Sequence, residues 1–381
     1  MPSLPVPRRI DGLGTWNYYS FRSRENVKLE ELADRCGEWL RGTGPESDIV
    51  ISTRIRLARN LADYPFVRKA SDEEKVQIVK MLRARVATLP SWSRAVFLDV
   101  DQLDELDRQF LVERQLMSRE LADGEGDRAV VFDPHERFSL MINEEDHLRL
   151  QVIHSGLDLE SAWSEIDTLD SELESKVNYA FHDRFGYLTA CPTNVGTGLR
   201  VSVMMHLPAL VITREIEKVF RSMHKINVAV RGLYGEGSQY MGDFYQISNQ
   251  VTLGRTEEVL MDTVREIVPR IIEYERRARM FLLKEGEQDL HDEVSRAFGI
   301  LCTAKKISSE ETLHYLSKVR LGINLGLIRS VDVATINKLF LNTQPAHIQK
   351  IRGKHLPVAE RNIERAAYLQ THLTGNGQRP E

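Results

Sequence analysis

The amino-acid sequence predicts an α+β fold, in which helices flank an antiparallel sheet, followed by a C-terminal all-α helical domain. Before residue 256, short apolar runs bounded by turn residues alternate with amphipathic helical patterns, which is typical of α+β proteins. From Thr256 onward, helical periodicity continues nearly to the end and strand patterns disappear. We therefore predict an N-terminal arm and helix over 1–47, an α+β domain over 48–275 and a helical domain over 276–381.

The individual elements follow from local spacing and from turn residues. Apolar residues recur at helical spacing over 27–40, and a short buried strand at 49–51 leads into 52–61. Ser71 and Glu74 form a capping box for a helix that extends to Ala87. The remaining predictions are a helix over 103–120, a hairpin of strands 129–132 and 138–142, a helix over 160–183, a strand over 201–207, a helix that Thr213 caps and that ends at His224, strands over 226–230 and 244–248, and helix starts at 308–311 and 330–332.

Composition and charge exclude several classes of function. The chain has 381 residues, of which 42% are hydrophobic, enough for one large core or two moderate ones. A net charge of −5 and an isoelectric point near 6.2 argue against direct nucleic-acid binding. No stretch approaches the roughly 18 apolar residues of a membrane span, and the first residues lack a signal-peptide core. Cys36, Cys191 and Cys302 match no metal-ligand or disulfide pattern, so we expect a cytoplasmic protein without membrane association.

The segment 140–151, LMINEEDHLRLQ, is the strongest candidate for a functional site. Its apolar start predicts a buried strand, and three adjacent acids follow at 144–146. Such acids repel one another unless cations lie opposite them. For an isolated acidic run, a solvated turn would be the ordinary explanation. In this chain, cations stand at the ends of other apolar runs or within the segment itself: Arg54, Arg56, Arg149, Arg200 and Arg231.

These five arginines are suited to a polyphosphate ligand. The guanidinium group pairs two phosphate oxygens at once and keeps its charge at physiological pH. Taken singly, each arginine is more often part of a surface ion pair. The chain lacks both the Walker phosphate-binding loop and the glycine-rich loop of protein kinases, so a nucleotide would be bound in a different way.

Two long motifs resemble those of a known family. The segments 143–149, NEEDHLR, and 191–200, CPTNVGTGLR, resemble the two signature motifs of the phosphagen (guanidino) kinases. The segment 52–56, STRIR, resembles that family's first nucleotide-binding motif, and 231–232 resembles its last. The motifs occur in the family's order and extend over 48–255. The resemblance implies a phosphagen-kinase-like catalytic domain.

The layout of the chain resembles one branch of this family. Only 47 residues precede the predicted catalytic domain, too few for the helical N-terminal domain of kinases that act on small guanidino compounds. Conversely, 150 residues follow Arg231, and their pattern predicts a helical bundle. This layout and the segments 231–237 and 246–250 are similar to bacterial protein-arginine kinases of the McsB type.

The resemblance also implies the roles of individual residues. Glu145 would hold the acceptor guanidinium and help deprotonate it, Glu236 would be its second carboxylate partner, and Cys191 a nearby thiolate. ATP would be the donor, with Mg²⁺ carried by the nucleotide and no metal bound by the protein alone. The implied ATP-binding residues are Ser52, Thr53, Arg54, Ile55, Arg56, Arg149, Arg200, Val201, Ser202, Val203, Met204, Arg231, Gly232, Leu233, Tyr234 and Gly235.

The chemistry of the acceptor is consistent with these roles. A guanidinium has a pKa of about 12.5–13.8, so neutralising it beforehand at pH 7 would cost about 8 kcal/mol. Carboxylates must therefore accept the proton as the phosphoryl group arrives. Alone, Cys191 would more often be an inert buried cysteine, but nearby cations favour its thiolate. Gly196 and Gly198 form either a plain turn or a close approach of backbone amides to phosphate.

We expect the other polar residues of the region to have structural roles or to affect only contacts with the nucleotide base. His147, His154 and His206 lack metal-ligand spacing, and we predict that they are structural. Gln115 stands where the arginine-kinase branch has a histidine near the adenine. This departure from the family pattern concerns only contacts with the nucleotide base.

A second motif lies near the C-terminus. The segment 361–366, RNIERA, resembles the phosphoarginine-recognition motif RDxxRA of the McsB branch. The implied allosteric contacts are Arg361, Asn362, Arg365 and Ala366, and arginines at i and i+4 can clamp one phosphate. Asn362 replaces the aspartate that would pair the positive guanidino group. An ordinary amphipathic helix with exposed arginines is the alternative explanation.

We expect an ATP-dependent protein-arginine kinase that acts on arginine residues of protein substrates and forms a homodimer through its helical domain. By family analogy, an activator protein and the Clp protease machinery are further partners, in a stress response. Two alternatives remain at this stage. One is a kinase for a small guanidino compound such as free arginine, and the other is a non-catalytic phosphoarginine-binding adaptor.

Overall fold

The computed structural model describes residues 29–33, 35–224, 228–232 and 241–374. Its strands are β1 Val50–Arg59, β2 Val96–Asp99, β3 Ala129–Phe132, β4 Phe138–Ile142, β5 Leu148–Ser155, β6 Phe181–His182, β7 Gly186–Tyr187, β8 Leu199–His206, β9 Val228–Arg231 and β10 Phe244–Asn249. Eight of them form one antiparallel sheet in the order β2-β3-β4-β5-β1-β8-β10-β9, and β6 pairs with β7 separately. The predicted α+β class with an antiparallel sheet is confirmed.

Helices flank this sheet and make up the C-terminal part of the chain. They are α1 Leu29–Ala33, α2 Asp72–Val86, α3 Glu105–Glu113, α4 Arg119–Asp123, α5 Leu159–Glu174, α6 Pro208–Ile212, α7 Ile216–His224, α8 Glu257–Thr303, α9 Ser309–Asn324, α10 Val333–Asn342, α11 Pro345–Arg352 and α12 Val358–Leu373. Within the described ranges, none of them is long and apolar enough to cross a membrane.

The two faces of the sheet have different characters because successive side chains of a strand point to opposite sides. In β1, Ile55 and Leu57 belong to the largest apolar core, which α2, α5 and the first part of α8 cover. Arg54 and Arg56 alternate with them and point to the opposite face, where they line a cavity. The alternation in β1 therefore places the arginines on the face of the sheet opposite the apolar core.

Three helical predictions needed correction at their ends. The helix predicted over 27–40 stops at Ala33, and after an extended Gly37 the chain forms a separate 3-10 turn, Glu38–Leu40. The helix predicted over 160–183 ends at Glu174, since residues further along pair their backbone with the end of β1: Ala62 N donates to Asn178 O at 2.9 Å. Thr213 is the C-cap of α6 rather than the N-cap of α7.

The helix predicted over 103–120 is two helices, α3 and α4. The chain leaves the helical conformation at Gln115, whose φ is +64°. Gln115 N donates to Val112 O and Leu116 N donates to Leu111 O, both at 3.0 Å. This pair of bonds is the Schellman pattern that ends a helix, with glutamine at the left-handed position that glycine usually occupies.

The helical region begins where the sequence predicted, at Thr256, which caps α8. α8 extends over 47 residues with a non-helical Gly286, so the domain boundary we predict at 275 lies inside it. Glu275 accepts hydrogen bonds from Ala209 N and Leu210 N at the start of α6, at 3.1 and 3.0 Å. The division into three domains stays a prediction.

Two predicted starts of helices are confirmed: the one at Ser308, with its capping box, and the one at Asp332.

A buried polar network joins β8 to α9. Arg320 Nη1 donates to His206 Nδ1 at 2.9 Å, so the ring hydrogen of His206 must lie on Nε2. Nε2 lies 2.9 Å from Ser317 Oγ, which donates to Asp243 Oδ2 at 2.6 Å. Burial and the neighbouring Arg320 and Arg279 hold the pKa of His206 well below its usual value. His206 is therefore a neutral structural residue.

Candidate active site

A cavity of about 590 Å³ lies over the polar face of the sheet. Strand pairing brings its basic side chains together. Arg56 lies opposite Arg200 of β8, and Arg231 of β9 lies opposite Gln246 of β10. The cavity is lined by seven of the residues that the sequence singles out: Arg54, Arg56, Glu145, Arg149, Cys191, Arg200 and Arg231.

The three acids that follow β4 have three different environments. The Glu144 side chain is only 1% exposed, and both of its oxygens accept from Arg149 Nη1, at 2.7 and 2.6 Å. Ser118 Oγ donates to Glu144 Oε1 at 2.5 Å. Burial disfavours the charge of Glu144, but Arg149 and Ser118 outweigh it and hold its pKa below the usual value. Glu144 therefore fixes the position of Arg149.

Asp146 is buried and anchors the loop around the site. Asn60 Nδ2 and the backbone amide of Ala190 each donate to Asp146 Oδ1 at 2.6 Å. His147 is also buried; Leu61 N donates to its Nδ1 at 3.1 Å, and its Nε2 lies 3.0 Å from Pro65 O. Burial lowers the pKa of His147 to about 4. Both residues hold β1, β5 and the segment before Cys191 together.

Glu145 is the acid of this trio that faces the cavity with little compensation. Its side chain is 32% exposed, and Arg68 Nη2 lies 3.8 Å from its Oε1. Burial, followed by the charge of Asp146, raises the pKa of Glu145 above its usual value. A raised pKa makes a carboxylate a better proton acceptor. A carboxylate in this environment can accept a proton from a donor group that enters the cavity.

Within the described part of the chain, Arg54 and Arg56 carry positive charge into the cavity without a carboxylate ion-pair partner. Arg54 donates from Nη1 to Gln115 Oε1 at 2.9 Å and from Nη2 to Gln246 Oε1 at 2.5 Å. The buried Nε of Arg56 has no hydrogen-bond partner among the described residues. Burial first, and then the neighbouring arginines, lower the pKa of Arg54 to about 10 and hold that of Arg56 well below its usual value. Such concentrated positive charge is suited to a polyanionic ligand.

Cys191 lines the same cavity from a braced loop. Its Sγ lies 3.0 Å from Thr193 Oγ1. Thr252 Oγ1 lies 2.8 Å from Thr193 O and 2.7 Å from Val195 O, and its single hydroxyl hydrogen is shared between these two carbonyls of the loop. A Cβ at Gly198, whose φ is +63°, would lie 2.5 Å from Ala58 O. Gly198 is therefore required for close packing of this loop on β1.

Several residues of the implied ATP-binding segments lie elsewhere. Ile55, Val201 and Val203 belong to the apolar core on the opposite face, and Thr53 Oγ1 donates to Gly156 O at 2.8 Å. Ser202 Oγ donates to Arg54 O at 3.1 Å and supports β1. Ser52 is buried, Met204 packs in the second core, and Gly232 follows β9. Glu236, Leu233, Tyr234 and Gly235 lie outside the described residues.

Comparison with known proteins assigns the family. Residues 77–278, more than half of the chain, match the family model of the ATP:guanido phosphotransferase C-terminal catalytic domain. The chain belongs to this family. Residues 287–381 match the protein-arginine kinase McsB C-terminal domain.

Relatives of this ATP:guanido phosphotransferase are similar over most of its length. A protein-arginine kinase from Halothermothrix orenii is 47% identical over 351 residues, 91% of this chain and 99% of that protein. One from Moorella thermoacetica is 44% identical over 346 residues, 90% of this chain and 99% of that protein.

Solved structures of guanidino kinases share the fold. The duplicated taurocyamine kinase of Schistosoma mansoni, with bound transition-state-analogue components, has a TM-score of 0.57 and 25% identity, covering 61% of this chain and 34% of that chain. Lombricine kinase has a TM-score of 0.54 and 22% identity, covering 67% of this chain and 71% of that chain. The predicted phosphagen-kinase-like fold is confirmed.

In the C-terminal region of this guanidino phosphotransferase, Arg365 and Ala366 are buried in α12. Arg365 donates from Nε to Thr343 O at 2.7 Å, and from Nη1 to Ile307 O at 3.0 Å and Asn362 Oδ1 at 2.7 Å. The arginine thus joins α12 to two preceding segments, and Asn362 helps to hold it. Arg361 is partly exposed. Phosphoarginine binding at this motif stays a prediction.

Some residues of the cavity are not evident from the sequence. Ser118 and Arg68 belong to none of the family motifs, and Glu144 is not distinguishable from its acidic neighbours. Gln246 begins the segment 246–250 that resembles the McsB branch, and a second signal is that it alternates with apolar residues in β10 and so faces the same side as the arginines. For Gln115 the sequence indicates only a change near the adenine, whereas its side chain contacts Arg54.

Proposed function

We infer that the protein is an ATP-dependent protein-arginine kinase, which transfers the γ-phosphoryl group of ATP to a guanidino nitrogen of arginine residues in proteins. One observation carries this conclusion. Glu145, Cys191 and five arginines converge on one cavity, in a chain similar over 91% of its length to a protein-arginine kinase. An adaptor that only binds phosphoarginine would need no such cavity.

ATP with Mg²⁺ is the proposed donor substrate. The triphosphate carries several negative charges close together, and the arginines of β1, β5, β8 and β9 supply positive charge from one face of the sheet. Arg56 Nε is buried and has no partner in the part of the chain that the structure describes, so it is a donor that a phosphate oxygen could satisfy. Mg²⁺ enters with the nucleotide as part of the substrate.

The proposed transfer needs no covalent enzyme intermediate. The acceptor nitrogen forms a bond to the γ-phosphorus while the bond from phosphorus to the ADP oxygen breaks, and the guanidinium proton passes to Glu145. In this proposal Cys191 and Glu236 hold the other nitrogens of the planar acceptor. The main contributions of the protein are alignment of donor and acceptor and stabilisation of phosphoryl charge.

Family resemblance supports further proposals about the setting of this activity. We propose that the enzyme acts in the cytoplasm, in a stress response, and forms a homodimer through its helical domain. An activator protein and the Clp protease machinery are the proposed partners besides the protein substrates. Binding of phosphoarginine at Arg361, Asn362, Arg365 and Ala366 is the proposed allosteric input.

The test is incubation with γ-labelled ATP, Mg²⁺ and casein, with free arginine in a parallel reaction. A phosphoramidate is lost in acid and survives alkali. Label of this kind on casein is the expected result. Label on free arginine alone would indicate a small-substrate kinase, which the likeness to taurocyamine and lombricine kinases makes the second candidate. No label on either would favour the phosphoarginine-binding adaptor.

A further inference from the structure

Two glutamines hold the guanidinium group of Arg54. Gln115 Oε1 accepts from Nη1 and Gln246 Oε1 accepts from Nη2, so both ends of the planar fork are fixed. Both acceptors are neutral amides from distant parts of the chain. Arg149, in the same cavity, is held instead by the carboxylate of Glu144. The two arginines are therefore oriented by opposite means.

The backbone at Gln115 indicates that its side chain has a specific use. Gln115 occupies the left-handed position at the end of α3, where a residue with a Cβ is strained and glycine is preferred. The backbone carbonyl oxygen of Gln115 also accepts a hydrogen bond from Gln151 Nε2 at 2.5 Å. A strained residue persists where its surroundings require it. At this position the side chain contacts Arg54, and glycine would lose that contact.

Gln246 is fixed by the sheet. It lies in β10, opposite Met204 of β8 and Arg231 of β9, and is 3% exposed. A strand in the middle of three cannot shift without breaking its hydrogen bonds to both neighbours. The amide oxygen of Gln246 is therefore a rigid reference point for Arg54.

We propose that Gln115 and Gln246 are positioning residues that aim the Arg54 guanidinium at the nucleotide phosphates while leaving its positive charge uncompensated. This inference rests on the proposed function, since it takes ATP as the ligand of Arg54. A carboxylate in place of either amide would orient the arginine equally well but would compete with phosphate for it. Neutral acceptors give the orientation without the competition.

The main test compares two substitutions at one position, each measured by titration calorimetry of the full chain with Mg·ATP. Gln246→Met keeps the length of the side chain and removes the acceptor, and we expect the Kd to rise about ten-fold. Gln246→Glu keeps the acceptor and adds a charge, and we expect a larger rise, about 100-fold. Equal or tighter binding by Gln246→Glu would overturn the claim that the acceptors must be neutral.

A double-mutant cycle tests whether Gln246 acts through Arg54. In an Arg54→Ala background, Gln246→Met should change the Kd less than about two-fold, because the partner it positions is gone. A full ten-fold effect in that background would overturn the positioning role. If Arg54→Ala alone leaves the Kd unchanged, the proposed nucleotide site itself fails, which is a separate result.

Gln115→Gly provides a variant that should fold well. Glycine fits the left-handed position, so the thermal midpoint should stay within about 4 °C of wild type, while the Kd for Mg·ATP should rise about ten-fold. For the Gln246 variants, Ser248→Ala is the matched control in β10, because the buried Ser248 Oγ has no hydrogen-bond partner among the described residues. Gln115→Gly with wild-type affinity would remove Gln115 from the proposal.

Discussion

The cavity of the candidate site and the C-terminal helical region both hold arginine side chains, but the arginines are hydrogen-bonded differently. In the helical region, Arg320 donates to Ser47 O, Asp48 O, Asn337 Oδ1 and His206 Nδ1, at 2.6 to 3.1 Å. In the cavity, the buried Nε of Arg56 has no hydrogen-bond partner within the described ranges. The pKa of each arginine is lowered primarily by burial.

The same contrast holds for the carboxylates. Glu275 accepts from two backbone amides of α6 and from Arg279 Nε at 2.9 Å. Glu145 faces the cavity, with Arg68 no closer than 3.8 Å. Removing one partner from a fully paired buried group destabilises a fold, whereas an incompletely paired group beside a cavity persists where a ligand completes it. Incomplete pairing, more than residue type, identifies the site.

The largest expected effect is at Glu145. Glu145→Gln keeps the shape of the side chain but cannot accept the proton, so kcat should fall about 10²–10⁴-fold. The affinity for ATP should stay within a few fold, because the residue contacts the acceptor in this proposal. Single-turnover transfer and calorimetry measure the two quantities. Near-wild-type turnover would remove Glu145 from proton transfer.

The effect of Arg320→Met should appear in stability rather than in the site. The substitution leaves Ser47 O, Asn337 Oδ1 and His206 Nδ1 without the arginine donor, whereas Asp48 O still accepts from Arg279 and Asn324. We expect a loss of about 3–5 kcal/mol in the free energy of unfolding. Urea titration measures this loss. ATP affinity, measured well below the unfolding transition, should not change. A stability close to wild type would show that this network contributes little.

Arg56→Met is the matched substitution in the cavity, and its expected result is the reverse. Removing this partly buried guanidinium, whose Nε has no partner among the described residues, should leave the free energy of unfolding unchanged or raise it by about 1 kcal/mol. The Kd for Mg·ATP should rise about 10- to 100-fold because a phosphate contact is lost. If Arg56→Met unfolds more easily than wild type with unchanged ATP affinity, the contrast between the two regions fails.

The smallest effect concerns His154, a histidine that is paired with two carboxylates and lies outside both regions. Its Nδ1 lies 3.0 Å from Asp158 and its Nε2 2.6 Å from Glu165. Burial opposes the charge, but the two carboxylates hold the pKa above its usual value. This contribution, on the order of 1 kcal/mol, should be fully present below about pH 6.5 and lost as pH rises through the higher folded-state pKa. The free energies of unfolding of wild type and His154→Gln, measured between pH 6 and 9, should converge at high pH. A difference that stays constant with pH would contradict this prediction.

Features that depend on neighbouring residues were predictable from the sequence. The capping boxes at Ser71 and Ser308 need only residues three apart. The alternation of Arg54 and Arg56 with apolar neighbours placed them on one face of a strand. The family motifs then indicated which of these faces meet in one site. Each of these signals is contained in a short stretch of chain.

Features that depend on distant partners were not predictable. Glu144 and Asp146 are adjacent to Glu145, yet Ser118 and Asn60 determine their roles from far along the chain. α3 ends at Glu113 within a continuous helical pattern, and Gln115, just beyond it, contacts Arg54 of β1. The sequence did not predict whether Arg365 is exposed or buried. It is buried, and its guanidinium donates to backbone carbonyls of two other segments. Spacing along one helix contains no information about those contacts.

The network around His206 gives the molecule a spectroscopic reporter. Because Arg320 can only donate, His206 is restricted to the tautomer with hydrogen on Nε2. The two ring nitrogens of such a neutral imidazole have well-separated ¹⁵N resonances, and exchange between tautomers would average them. The ¹⁵N spectrum of His206 therefore records whether α9 is seated on β8. His206 and Arg200 lie at the two ends of β8, so this measurement alters no residue of the cavity.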